Sequence, residues 1–208
     1  MTLSAQGSWK ASPDRAAPSR ASPISSLGGK WLELLKEIAP NVKRVALPYN
    51  PTTAPYFHLF VDAVVSAAPT YGVEPVPMTV QQPAELDRAV GAFARDPNGG
   101  LMILSDSFLF VHRDRIIASA AQHRLPAVYA GNRSYARDGG LIAYGNDSTF
   151  DFRGAASYVD QILRGAKPSE LPVQGPIKFL LYINVKTAKA LGLTVPPTLL
   201  AIADGVIE

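Results

Sequence analysis

Polar and aromatic side chains follow directly after several apolar segments of this chain. They supply amide, hydroxyl, carboxylate and phenol groups, which hydrogen-bond a small polar ligand while the rings cover its apolar part. The candidate ligand-binding residues are Tyr49, Asn50, Ser105, Asp106, Tyr129, Asn132, Tyr144 and Asp147. The same residue types also form turns and helix N-caps, so both interpretations stay open for each residue alone. For the set as a whole, we expect a ligand-binding role.

The sequence offers no catalytic constellation. Its three histidines, His58, His112 and His123, have no H-x-x-x-H spacing, and there is no G-x-S-x-G elbow, P-loop or G-x-G-x-x-G. Asp106 and Asp147 could meet as a carboxylate pair, but nothing in the sequence supplies an oriented partner. We therefore predict a binding domain that is not an enzyme, with no catalytic residue, no metal site and no cofactor.

Five apolar segments alternate with amphipathic helical segments. The predicted strands are Arg44–Tyr49, Val73–Val80, Gly100–Leu104, Pro126–Ala130 and Gly140–Tyr144. Strands that are apolar throughout are buried on both faces, which is typical of a parallel sheet flanked by helices. The pattern predicts an α/β fold with a doubly wound, mostly parallel open sheet of about five strands. Ligands bind such sheets beyond the carboxyl ends of the strands, where the candidate residues lie.

The last third of the chain is less regular. The pattern predicts a helix over Phe150–Arg164, an extended linker over Lys167–Pro176 and a strand over Phe179–Ile183. A short helix over Val185–Leu191 and helical turns over Leu199–Val206 complete the chain. We expect a tail at residues 1–27, an α/β lobe at residues 28–147, and a crossover helix, returning strand and C-terminal helices of the same lobe at residues 148–208.

Composition excludes several classes of protein. The net charge of +3 lies within residues 1–30, so the rest of the chain is neutral, unlike the basic surface of a nucleic-acid-binding domain. No apolar run is long enough to cross a bilayer, and there is no cysteine. Residues 1–27 are rich in Ser, Ala and Pro, which predicts a disordered tail rather than a secretory signal. As written, the chain would stay in the cytoplasm.

Six segments together resemble the second lobe of ABC-transporter substrate-binding proteins, in the group linked to uptake of tryptophan and other amino acids. They begin with Lys30–Pro51 (KWLELLKEIAPNVKRVALPYNP) and Pro97–Asp106 (PNGGLMILSD). The others are His123–Tyr129 (HRLPAVY), Gly139–Asp147 (GGLIAYGND), Ala155–Lys167 (AASYVDQILRGAK) and Ile183–Pro197 (INVKTAKALGLTVPP). Their order and spacing carry the resemblance, which covers about residues 28–208.

The resemblance implies a type I periplasmic-binding-protein-like lobe, a small-molecule ligand such as an amino acid or small organic acid, an ABC permease as partner and a periplasmic location. Carried over by position, the ligand-facing residues are Asn50, Asp106 and Asp147, with Tyr129 and Asn132 as further candidates. The first lobe of the family has no counterpart in this sequence, so we expect a truncated protein. Without it, the crossover helix would expose an apolar stripe through Phe152, Ala156, Val159 and Leu163 and promote self-association. A ligand-sensing regulatory domain and a flavodoxin-like enzyme remain the alternatives.

Overall fold

The computed structural model describes residues 23–172 and 174–208, which form a seven-stranded sheet with helices on both faces. The strands are β1 (Arg44–Tyr49), β2 (Glu74–Thr79), β3 (Gly99–Ile103), β4 (Ala127–Tyr129), β5 (Ile142–Asn146), β6 (Phe179–Asn184) and β7 (Gly205–Ile207). The helices are α1 (Pro23–Ile38), α2 (Phe57–Tyr71), α3 (Pro83–Phe93), α4 (Ser107–Val111), α5 (Arg113–Gln122), α6 (Arg133–Arg137), α7 (Ser148–Leu163), α8 (Val185–Ala190) and α9 (Pro197–Ile202).

The strand order is β2-β1-β3-β4-β5-β6-β7. Strands β1 to β5 pair in parallel, β6 pairs antiparallel with β5, and β7 runs parallel to β6. The predicted fold class, a mostly parallel open α/β sheet, is confirmed. The sheet has seven strands rather than about five, because β6 and β7 extend it beyond β5. Strand β2 lies at one edge of the sheet and has a single neighbouring strand. Pro75 and Pro77, which have no backbone N–H to donate, are therefore tolerated there.

The C-terminal residues differ from the prediction of helical turns over Leu199–Val206. Helix α9 ends at Ile202, and the chain then turns extended to form β7. Asp204 causes this change: its backbone N–H donates to the Leu181 carbonyl, and its carboxylate accepts from the Leu181 N–H. Two hydrogen bonds to β6 thus fix the last residues as an edge strand, although their sequence carries only a weak strand signal.

The N-terminal boundary also differs from the prediction. Helix α1 starts at Pro23, so residues 23–27 of the predicted tail are helical, and residues 1–22 lie outside the described residues. Proline suits the first turn of a helix, where its missing N–H is not needed. Gly28 allows α1 to pack closely against α2, because a Cβ at this position would lie only 2.7 Å from the Ala63 carbonyl carbon. The predicted linker Lys167–Pro176 likewise contains a short 3-10 helix at Pro168–Glu170.

Two hydrophobic cores fill the two faces of the sheet. Alternate strand residues point to opposite faces, so Val45 and Leu47 join the core under α1, α2, α8 and α9, while Ala46 joins the core under α3 to α6. Helix α7 belongs to neither core and has no buried residue. The predicted exposure of Phe152, Ala156, Val159 and Leu163 is confirmed. No helix among the described residues is long and apolar enough to span a membrane.

Candidate functional site

The carboxyl ends of the parallel strands meet at one edge of the sheet, and two open cavities lie there. The larger cavity has a volume of about 290 Å³. It is lined by Tyr56, Ser105, Asp106, Ser107, Phe110, Ala130, Gly131, Asn132 and Tyr135. The smaller cavity, of about 170 Å³, is lined mainly by apolar side chains and shares Ser105 and Ala130 with the larger one. Ser105 and Ala130 therefore form the ridge between a polar-aromatic cavity and an apolar one.

Asp106 lies at the floor of the larger cavity, and its carboxylate is fully engaged with the protein. Oδ2 accepts a 2.7 Å hydrogen bond from the Asn50 N–H. Oδ1 accepts from the Thr53 hydroxyl and, at 2.8 Å, from the Phe108 N–H, which makes Asp106 the N-cap of α4. The residue is buried, so these three donors replace water around the charge. Asp106 thus ties the loop after β1 to the loop after β3 and sets the shape of the cavity.

Asn50 is buried beside Asp106 and lines neither cavity. Its side-chain oxygen accepts from the Thr52 N–H at 2.9 Å, and its amide donates to the Gln81 carbonyl at 3.5 Å. The first contact is the Asx turn that starts a loop after a strand. The geometry therefore gives Asn50 a role in shaping the β1 loop.

Asn132 and Ser105 are exposed on the wall of the larger cavity. The Asn132 oxygen caps α6 by accepting from the Ser134 N–H at 2.9 Å. Its amide nitrogen has no hydrogen-bond partner among the described residues, so it is available to a ligand. Ser105 lies on the ridge between the two cavities, so its hydroxyl is also within reach of a ligand.

Asp147 lies outside both cavities, at the start of α7. It caps this helix by accepting from the N–H groups of Thr149 and Phe150, and it forms a 3.0 Å ion pair with Lys178. The hydrogen bond from Lys178 is the main reason that the pKa of Asp147 lies below its usual value, and the two backbone N–H groups add to it. Asp147 and Asp106 do not form a carboxylate pair at one cavity.

Tyr49, Tyr129 and Tyr144 line neither cavity. Tyr49 stacks on Phe57 at a centroid distance of 4.0 Å, and its hydroxyl accepts from Thr79. Tyr129 is 1% exposed and lies in the core under α6, where burial raises the pKa of its hydroxyl. Tyr144 stacks on Phe179, and burial raises its pKa as well. Of the eight candidate residues, the structure brings Ser105, Asp106 and Asn132 together at the larger cavity.

Six residues of the larger cavity were not among the candidates: Tyr56, Ser107, Phe110, Ala130, Gly131 and Tyr135. Tyr56 and Phe110 are both partly exposed aromatic residues in the segments that follow β1 and β3. An aromatic residue within the first loop or helix after a strand was the available signal for these two. Tyr135 lies in the middle of α6, where an aromatic residue is equally typical of the buried face of a short helix.

The cavity edge presents hydroxyl and amide donors next to aromatic faces. Among the residues that the structure describes, no three His, Asp or Glu side chains come together to hold a metal ion. Such a surface binds a small ligand through neutral hydrogen bonds and covers its flat or apolar part with rings.

A sequence model of one family, the ABC transporter substrate binding proteins, matches residues 26–207. The chain belongs to this family. No curated protein matches the chain. Three solved structures share the fold of this chain.

A conserved domain protein from Vibrio cholerae O1 biovar El Tor is 31% identical, with a TM-score of 0.77 over 89% of this chain and 60% of that one. An ABC domain from Streptococcus pneumoniae, solved in complex with L-Trp, is 23% identical with a TM-score of 0.77, over 86% and 60%. A substrate-binding protein with adhesive properties from Clostridium difficile, in its ligand-free open form, is 22% identical with a TM-score of 0.66, over 86% and 59%. The chain thus spans about three fifths of the length of each.

Proposed function

We propose that this chain binds a small polar or aromatic molecule, such as an amino acid, as the solute-binding component of an ABC import system. The observation that carries the proposal is the larger cavity, where hydrogen-bond donors and aromatic rings converge at the carboxyl edge of a parallel sheet. Its volume of about 290 Å³ suits a ligand of amino-acid size. The L-Trp complex of the Streptococcus pneumoniae protein supports an amino acid as ligand.

The proposed contacts divide between direct and supporting residues. Ser105 and Asn132 are proposed to bind the ligand directly, since both are exposed on the cavity wall. Asp106 is proposed to hold the cavity floor, with Asn50 and Tyr49 supporting the loop after β1 and Tyr129 supporting α6. Tyr144 and Asp147 are proposed to shape the apolar side of the edge, next to Phe179 and Lys178.

The partner and location follow from the family. Substrate-binding proteins of this family hand a solute to a transporter and act outside the cytoplasm, so we propose an ABC permease as partner and an extracytoplasmic site of action. Strand β6 pairs with β5 in the same sheet, which supports treating residues 148–208 as part of the lobe formed by residues 28–147.

A thermal-shift screen tests the proposed function directly. The purified chain is heated with amino acids, aromatic acids and small organic anions, and a ligand that binds the folded state raises the melting temperature with its concentration. We expect a reproducible shift for at least one aromatic or branched amino acid. Cooperative unfolding with no shift at millimolar concentrations would contradict ligand binding by this chain.

A matched pair of variants places the ligand at the larger cavity. Asn132→Asp keeps the cap of α6, since Asp and Asn cap helices equally well, but it replaces the free amide donor with a carboxylate. Asn41→Asp makes the same change at an exposed position before β1, at the opposite edge of the sheet. We expect Asn132→Asp to lower the shift strongly and Asn41→Asp to leave it unchanged. Equal shifts for both variants would place the ligand elsewhere.

A further inference from the structure

Tyr135 holds a fixed position at the base of the larger cavity. Its ring stacks on Tyr129 at a centroid distance of 4.9 Å and meets the edge of Phe110 at 5.9 Å. Gly131 lets the ring approach the backbone, because a Cβ at this position would lie 2.7 Å from two ring carbons. With 4% of its surface exposed, the side chain cannot leave this site without breaking the core under α6.

The hydroxyl of Tyr135 is the part of the side chain that has no partner in the protein. Among the residues that the structure describes, every side-chain nitrogen or oxygen sealed from solvent has a hydrogen-bond partner. The Tyr135 hydroxyl has none there, so it is not sealed from solvent, and Tyr135 is one of the residues that line the larger cavity. Tyrosines buried to this degree normally pair their hydroxyl, which makes an open one at a cavity a site for a ligand atom.

The surroundings keep this hydroxyl protonated. Burial raises the pKa of Tyr135 to about 12; Arg113 opposes this rise, and Asp106 adds to it. Arg113 is itself held in a 2.8 Å ion pair with Asp138, and the Asp106 carboxylate is occupied by three donors. Neither charged group competes for the hydroxyl, so at neutral pH it is free to donate.

We propose that Tyr135 is a specificity-determining residue whose hydroxyl donates a hydrogen bond to an oxygen of the ligand, carboxylate or carbonyl. The proposal rests on the function proposed above and deepens it. Ser105, Ser107 and the Asn132 amide surround the same cavity, so four donors face a volume in which the one carboxylate is already satisfied. A ligand without an acceptor oxygen at this position would leave these donors unpaired, which is how polar sites reject close analogues.

Three probes and two variants test the proposal by isothermal titration calorimetry. The probes are L-tryptophan, L-tryptophanamide and tryptamine, which share an indole and an amine but differ in the acceptor oxygen. Tyr135→Phe removes the hydroxyl and keeps the ring, and no hydrogen bond within the described protein is lost. Tyr71→Phe makes the same change at the end of α2, at the other edge of the sheet. Circular dichroism confirms that both variants fold.

We expect the wild type to bind L-tryptophan and its amide more tightly than tryptamine. Tyr135→Phe should weaken both oxygen-bearing probes about ten- to hundredfold, as for loss of a hydrogen bond to a charged or strongly polar group, and leave tryptamine unchanged. Tyr71→Phe should match the wild type with all three. A purely structural role for Tyr135 would weaken all three probes alike.

The outcomes separate the two proposals. If the wild type binds L-tryptophan and Tyr135→Phe binds it equally well, the role of Tyr135 is overturned while the proposed function stands. A uniform loss over the three probes also overturns it. If the wild type binds none of the three, the inference is overturned for tryptophan-like ligands, and the thermal-shift screen decides separately whether the chain binds another amino acid.

Discussion

At the scale of single residues, the carboxylates at this edge of the sheet stabilise the fold by binding residues that are distant in sequence. Asp106 accepts hydrogen bonds from the loop after β1 and from the first turn of α4, and the Asn50 N–H that it satisfies is buried. A carboxylate that served only as a ligand contact would be dispensable for folding. A carboxylate that satisfies buried donors is needed for folding, because without it each buried N–H would be left unpaired at the full cost of its desolvation.

We therefore predict that Asp106→Ala lowers the free energy of unfolding by about 2–4 kcal/mol, from a lost helix cap and an unsatisfied buried N–H. Urea denaturation measures the change. Asp114→Ala is the control, since Asp114 is highly exposed and its substitution should fall within about 0.5 kcal/mol of the wild type. An Asp106→Ala protein that is as stable as the wild type would show that this carboxylate does not hold the two loops.

Asp147 gives a prediction on pH. Its pKa is lowered in the folded protein, chiefly by Lys178, so the charged form stabilises the fold. This stabilisation is complete above the ordinary carboxyl pKa of about 3.9 and is lost as the pH falls through the lower folded value. Asp147→Asn retains a good helix cap and removes only the charge. We expect its melting temperature to lie below that of the wild type at pH 7.

The difference in melting temperature between wild type and Asp147→Asn should shrink as the pH falls below about 4. Lys178→Met should reproduce the same pH dependence, because it removes the other half of the ion pair. Melting curves from pH 7 to pH 3 test both variants. A difference that stays constant over this range would assign the effect of Asp147→Asn to capping rather than to charge.

At the scale of elements, α7 stands apart from the other long helices. It is attached through its cap at Asp147 and through the Tyr158 hydroxyl, which donates to the Pro172 carbonyl at 2.6 Å. Its apolar stripe faces solvent, with Phe152 75% and Leu163 81% exposed. A stripe of this kind on a helix that packs on neither core marks a contact surface.

We predict concentration-dependent self-association of the isolated chain through this stripe. Val159→Glu places a charge at its centre and should raise the monomer fraction in multi-angle light scattering, with little change in melting temperature. Gln161→Glu adds the same charge to α7 away from the stripe and should leave the association unchanged. A clean monomer at every concentration, with no binding of a dye for apolar surfaces, would contradict this prediction.

The elements also show what the sequence could predict. Strands β1 and β3 are apolar apart from Arg44 and each has a neighbour on both sides, so their burial on both faces could be predicted from composition alone. The three-residue strand β7 could not, because Asp204 fixes it through Leu181, 23 residues away. The start of α1 was hidden in a Ser- and Pro-rich segment, where the packing of Gly28 on α2 outweighs weak helix propensity.

The candidate site divides in the same way. The rule that ligands bind at the carboxyl ends of parallel strands predicted the edge at which the larger cavity lies, and Ser105, Asp106 and Asn132 line that cavity. It could not separate residues that face the cavity from residues that face the core: Tyr129 ends β4 and Tyr135 lies in the short helix that follows, yet only Tyr135 lines the cavity. Their directions depend on the pairing of β4 with its neighbours and on the contact of α6 with the sheet.

At the scale of the whole molecule, the chain after α7 is joined to the parallel sheet by a small polar network. Asn184, at the end of β6, is buried; its amide donates to the Ala136 carbonyl at 2.8 Å, and its oxygen accepts from the Thr187 N–H at 2.8 Å. The Thr187 hydroxyl donates to the Gly139 carbonyl. These contacts connect β6 and α8 to α6, which carries Tyr135 on its inner face.

We predict that Asn184→Ala lowers the free energy of unfolding by about 1–3 kcal/mol, because it leaves the Thr187 N–H without its partner and removes one of the donors to the Ala136 carbonyl. Hydrogen exchange should rise first in β6 and β7, which this network ties to the rest of the sheet. Thr187→Val removes only the hydroxyl contact and should give a smaller change, and the exposed Asn41→Ala should give none. If exchange rose equally in β1 and β3, the sheet would unfold as one cooperative unit, and the network would stabilise the molecule globally rather than fasten its C-terminal strands.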